Sequence, residues 1–252
     1  MVCLRRLLRL APLIMRSFRK TRRLLPALFV AAALVGCSDQ NTEKAPTATG
    51  TQATKAAVTV PVGSGFDFYV LSLSWSPTWC GDNDPKGKSS QCEVGGNRGL
   101  IVHGLWPQNE RGYPDFCPTR QSDRVPSSLG KQYLDLIPSM GLIGHQWRKH
   151  GTCSGLSQEE YFAVTRAAWD RLTLPLELAP PPQEKGLRVA AIEDALVAKN
   201  PGMTKDAVAV TCEGSRLEEI RICFDKSLNF RACPAVDRQA CRKESVSLPP
   251  AL

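Results

Sequence analysis

The sequence predicts one α+β domain, with a central, mainly antiparallel sheet packed by helices and stapled by disulfides. Three observations carry this expectation. Strand-like and helix-like stretches are interspersed without the regular βαβ rhythm that builds a parallel sheet. Eight cysteines fall between residues 80 and 241, an even number that suits four disulfides in an exported chain. No internal repeat is visible, and residues 65–252 have the length of a single domain.

Residues 66–75 are aromatic and aliphatic with partial alternation, which suits a strand. A loop rich in Gly, Asn, Asp and Lys is expected between Cys80 and Cys92, followed by a short apolar strand at 99–102. Ser157-Gln158-Glu159-Glu160 fits a capping box that opens a helix running towards Leu172. Pro180-Pro181-Pro182 marks a loop. Residues 187–199 have helical periodicity and stop at Asn200-Pro201-Gly202. Residues 207–211 and 217–224 read as strands flanking a turn at Glu213-Gly214.

The formal net charge of +8 invites a polyanion-binding reading, but its distribution removes that inference. Residues 1–37 hold eight basic side chains and no acid; removing these from 32 leaves 24, matching the 24 acidic residues. Any positive surface elsewhere must therefore be local. The leader is a basic stretch through Arg23 followed by an apolar run from Leu24 to Val35, too short for a comfortable bilayer span. Leu34-Val35-Gly36-Cys37 resembles the bacterial lipobox, which implies a signal peptide over 1–36 and a lipid-modified Cys37. An ordinary secretory leader is the alternative. Residues 37–64 are then the anchor cysteine and a flexible linker rich in Thr, Ala, Pro, Gln and Lys. Ser38 after the cysteine favours the outer membrane, so a periplasmic domain tethered there is expected.

Setting aside Cys3 and Cys37 leaves Cys80, Cys92, Cys117, Cys153, Cys212, Cys223, Cys233 and Cys241. Their spacing alone leaves the pairing open. A zinc site is the competing idea, but no C-x-x-C occurs and no histidine lies near the last four.

The chain has three histidines. His103 lies in Ile101-Val102-His103-Gly104-Leu105-Trp106-Pro107, expected at a strand end where Gly and Pro force a turn. The others lie in His145-Gln146-Trp147-Arg148-Lys149-His150-Gly151-Thr152-Cys153. On a helix His145, Lys149, Gln146 and His150 would fall at about 0°, 40°, 100° and 140°, one polar arc with Trp147 and Arg148 behind. Such an arc is either a working surface or plain solvated helix. Metal ligation is disfavoured, since the histidine spacing is five and no H-E-x-x-H occurs. Two imidazoles suit internal attack of a ribose 2′-hydroxyl on the adjacent phosphodiester. One takes the proton of that hydroxyl, the other gives one to the departing 5′-oxygen. A neighbouring lysine stabilises the charge gathering on phosphorus. No metal or cofactor is needed.

His103-Gly104-Leu105-Trp106-Pro107 and His145-x-Trp147-x-Lys149-His150-Gly151-Thr152-Cys153 resemble the two active-site segments of the ribonuclease T2 family. The resemblance extends over roughly residues 66–241, through residues 68–80 as a first strand and 219–226 as a late core strand. It implies that His103 is the general acid, His150 the general base, His145 a phosphate ligand and Lys149 the stabilising cation. Trp106, with Tyr113, would stack a base of single-stranded RNA, a core position being the alternative for Trp106. It further implies the pairs Cys117–Cys153, Cys212–Cys241, Cys223–Cys233 and Cys80–Cys92, and a monomer acting on single-stranded RNA. Two departures stand out. Gln146 replaces a usual glutamate, at an expected cost on the order of 10–1000-fold in rate. Gln108 replaces a frequent acidic residue near the first base site. Gln146 also motivates the rival reading, a non-catalytic RNA-binding or cell-envelope protein that keeps the fold.

Overall fold

The computed structural model describes residues 59–252, so the leader, Cys37 and most of the linker lie outside the described residues. The strands are β1 (Phe68–Trp75), β2 (Leu100–Gln108), β3 (Lys185–Arg188), β4 (Val208–Glu213), β5 (Arg216–Phe224) and β6 (Ser245–Leu248). The α-helices are α1 (Ser76–Asn83), α2 (Ser127–Gly130), α3 (Met140–Lys149), α4 (Gln158–Asp170), α5 (Val189–Lys199) and α6 (Pro234–Asp237). The sheet runs β2-β1-β5-β6-β3, with β4 also paired to β5. Every pairing is antiparallel except the Arg216–Ser247 contact between β5 and β6. Residues assigned to the linker already touch the domain. Val60 packs on the core, and the Ser64 N–H donates to the Ser154 carbonyl at 2.9 Å.

All of β1 is buried, which explains its nearly continuous apolar run. Tyr69, Leu71, Leu73 and Trp75 enter the main core with Trp147 of α3 and Tyr161 and Phe162 of α4. Phe68 and Val70 point the other way, into a smaller cluster with Cys223, Cys233 and Val236. Each large apolar side chain so buried contributes about 1.5–3 kcal/mol. The Tyr161 hydroxyl fastens α4 to β2 by donating to the Leu105 carbonyl at 2.8 Å.

Two irregularities in the sheet shape everything that follows. Ser72 pairs with Gly104 and Leu73 with Val102, so His103 is an extra residue bulged out of β2. Val102 and Leu105 consequently both reach the main core, while His103 and Trp106 share the opposite face. In a regular strand residues three apart would face opposite ways. Across the sheet, Val210 pairs with Ile220 and Cys212 with Leu217, so Thr211 alone opposes Glu218 and Glu219. The Thr211 hydroxyl donates to Glu218 at 3.0 Å and accepts the Glu219 N–H at 3.2 Å, holding this second bulge.

The expected strand at 99–102 is therefore corrected to a nine-residue strand that places His103 in its interior rather than at its end. Pro107 does not stop it because β2 is the sheet edge, where a missing N–H costs no ladder bond. The segment leading into the Cys80–Cys92 loop is helical as α1, with its proline in the first turn, where a missing N–H is tolerated. Leu187 and Arg188 pair with Val246 and Ser245 as β3, so α5 starts two residues later than its periodicity suggested. The capping box at Ser157 forms as expected, with both reciprocal bonds present.

Candidate active site

α3 carries one half of the site. Ser139 caps it by accepting the Leu142 N–H, and His150 ends it with an N–H still bonded to the Gln146 carbonyl at 3.0 Å. Ile143 and Trp147 are buried in the core, which fixes the helix rotation. His145, Gln146, Lys149 and His150 consequently look across a cleft of about 350 Å³ at β2 and β5. The open question about the polar arc is answered: it faces a cleft. His103, Trp106, Gln108 and Tyr113 line the same cleft, so all eight non-cysteine site residues expected from the sequence converge. Two glycines permit this approach. A Cβ on Gly104 would overlap the Gln146 side-chain amide, and one on Gly151 would overlap the Trp147 ring.

The two candidate proton-transfer histidines stand in opposite surroundings. His103 Nδ1 lies 2.6 Å from Glu219 Oε1. A carboxylate only accepts, so Nδ1 carries the hydrogen and Nε2 is the nitrogen left for the cleft. Burial alone would push the Glu219 carboxyl up. The hydrogen bond and charge of His103, then the Arg221 guanidinium, outweigh burial and hold it below the usual carboxylate range. Arg221 donates to Glu219 Oε2 at 2.8 and 2.9 Å and to Gln239 at 3.1 Å. Glu219 is thus an ionised carboxylate held against the His103 ring.

His150 has no carboxylate. It is buried, and its Nδ1 makes no hydrogen bond. Burial, and after it the charge of Lys149, lowers its pKa to about 3, so it is neutral at ordinary pH. The pKa of His145 is lowered as well, chiefly by partial burial and then by Lys149 and Arg148. A phosphate arriving beside it would offset those cations. Trp106 joins the halves. Its ring stacks on His150 at 5.2 Å, meets His103 edge-on at 5.4 Å and lies under the Arg221 guanidinium at 5.5 Å. Its Nε1–H donates to Gln146 Oε1 at 3.0 Å. The ring is both a cleft wall and the spacer between the histidines; Tyr113 is the more open aromatic surface.

The four disulfides are Cys80–Cys92, Cys117–Cys153, Cys212–Cys241 and Cys223–Cys233, the pairs implied by the resemblance. Cys117–Cys153 links the loop carrying Tyr113 to the turn after His150, closing 36 residues. On a chain-entropy basis such a loop is worth about 4 kcal/mol.

Comparison with known proteins agrees with this geometry. The model of the ribonuclease T2 family matches residues 66–233. The chain belongs to this family. It is 44% identical to a ribonuclease of Aeromonas hydrophila over 100 residues, covering 38% of this chain and 41% of that one. It is 40% identical to a probable ribonuclease of Haemophilus influenzae over 123 residues, covering 43% and 44%. The matches thus span less than half the length of these curated relatives. The solved structure of an RNase-related protein from Calystegia sepium superposes with a TM-score of 0.62 at 25% identity, covering 75% of this chain and all of that one.

Among the side chains of this T2-family cleft that escaped the reading of the sequence, Glu219 and Arg221 bear most directly on the histidines. A signal was present: acidic residues are poor strand formers, and Glu218-Glu219 interrupts an apolar strand. A carboxylate in that position needs a buried partner. What the sequence withheld was which partner, 116 residues away.

Proposed function

We propose that the chain is an endoribonuclease cleaving single-stranded RNA by metal-independent transphosphorylation. The observation that carries this reading is the division between two imidazoles across one cleft. One sits on an ionised carboxylate; the other is buried, neutral and beside a lysine. Environments that separate an acid from a base in this way assign their roles. Neutral His150 takes the proton of the 2′-hydroxyl as that oxygen attacks phosphorus. Protonated His103 gives its Nε2 proton to the departing 5′-oxygen. The bond from phosphorus to the 5′-oxygen breaks as the new one forms, leaving a 2′,3′-cyclic phosphate. Lys149 and His145 hold the charge on the non-bridging oxygens. Water, with the proton roles reversed, then opens the ring to a 3′-phosphate.

The lining of the cleft also orients the substrate. His150 lines the space with Trp106, Gln108 and Tyr113, so the nucleoside bearing the attacking hydroxyl belongs there. His103 and His145, without His150, also line an adjoining space beside Trp79 and Leu142, which suits the nucleoside on the leaving side. His103→Ala and His150→Ala should each remove activity while the fold persists, and EDTA should not inhibit. Undiminished cleavage in both variants overturns the assignment.

The leader supports an exported protein: residues 1–36 as signal peptide, Cys37 lipidated, and residues 37–64 as a tether. The catalytic domain, residues 65–252, then acts as a monomer in the periplasm, held to the outer membrane. Mass spectrometry of the mature amino terminus should find lipid on Cys37; an unmodified terminus overturns the anchor.

A further inference from the structure

Phe116 is a bulky residue at φ +45°, in the left-handed region that costs an L side chain energy and favours glycine. The fold enforces this conformation from both sides. The Phe116 N–H donates to the Lys149 carbonyl at 2.9 Å, and the next residue is locked in Cys117–Cys153. Yet the side chain is not used for packing. It is 59% exposed and meets the edge of the His145 ring at 6.3 Å. Strain held in place at the rim of a site, delivering an uncovered ring, points to a ligand rather than to stability.

Its company gives the ligand's chemistry. The large exposed aromatics among the described residues are Trp79, Tyr113 and Phe116. All three border the histidine cluster: Tyr113 lines the cleft with His150, Trp79 the adjoining space with His103, and Phe116 touches His145. Aromatic faces beside cationic groups are how proteins hold the bases of single-stranded nucleic acid. Phe116 lines neither of the two spaces that would take the nucleosides of the cleaved bond.

We propose that Phe116 is a stacking platform for a third base, outside the nucleotides joined by the cleaved bond, so that the site grips at least three nucleotides of single-stranded RNA. The assignment rests on the nuclease reading of the cleft.

A hexamer with one central ribonucleotide in a deoxyribose chain can be cleaved at only one bond, because only one 2′-hydroxyl is present. The test compares kcat/KM for this hexamer with that for the matching dinucleotide. Phe116→Ala should lower the hexamer-to-dinucleotide ratio by about tenfold, the usual weight of one base–aromatic stack. Phe116→Trp should restore the ratio. Phe116→Gly should lower it equally while raising the thermal midpoint, since glycine accepts positive φ. A ratio unchanged in Phe116→Ala, or lowered in Phe116→Trp as much as in Phe116→Ala, overturns the platform. Failure of the unaltered protein to cleave either substrate overturns the nuclease reading, and the platform with it.

Discussion

Replacing Glu219 with glutamine changes one oxygen to an amide nitrogen and leaves the volume of a buried side chain almost unaltered. It removes the negative charge that lies 2.6 Å from His103 Nδ1 and 2.8 Å from the Arg221 guanidinium. Hydrogen bonds to charged groups are worth about 1.5–3 kcal/mol, and 1.4 kcal/mol is a factor of ten. The loss of rate should therefore be about 10- to 150-fold. It should fall on kcat rather than KM, because the counter-charge matters to the protonated acid and not to the grip on the base. Steady-state kinetics on a dinucleotide between pH 5 and 9, with circular dichroism to show an intact fold, give the answer. Unchanged kcat in folded Glu219→Gln, or a loss confined to KM, refutes the reasoning.

His150 binds its proton far less readily in the fold than in the unfolded chain, where it titrates near pH 6.5. The unfolded state therefore binds more protons between about pH 3 and 6.5, and stability should fall as pH falls through that window, by up to one proton's worth of slope. Denaturant unfolding at several pH values should show the slope flattened in His150→Asn; an identical slope would mean that other groups cause it. Gln146→Glu is nearly isosteric and places a negative charge beside the histidines and Lys149, so the acid limb of kcat/KM should move to higher pH in a pH-rate profile. Gly104→Ala should abolish most activity by displacing the Gln146 side chain, whereas Gly186→Ala, where a Cβ has open space, should not. Cleavage rates for the two alanine variants provide that comparison.

How much of this was legible in advance depends on the range of the signal. β1 and α4 are written locally, in a nearly continuous apolar run and a capping box, and both form where expected. The two histidine segments were legible because each carries its own neighbours: Trp147 buries one side of α3 and turns His145, Gln146, Lys149 and His150 outwards. The bulges were not legible. A register shift belongs to two strands at once, and nothing within residues 99–108 says that His103 will be left unpaired by β1. Glu219 was hidden for the same reason, its partner being distant in the chain. β3 and β6 have four residues each, too few to display a period, and they stabilise one another only after the chain has returned. The sequence offers Trp106 as a base platform or a core residue; its ring lines the cleft, and its second position between the two histidines was not legible.

The central claim is that the 2′-hydroxyl, activated by His150 and matched by the acid His103, is the nucleophile. Analysis of the ends left on a single-stranded RNA, cleaved in EDTA near pH 6, tests it most directly. The expected result is a 2′,3′-cyclic phosphate that gives way to a 3′-phosphate, with no cut at any 2′-deoxy position. Fragments ending in 5′-phosphates, or cleavage that proceeds equally through deoxyribose, would contradict it.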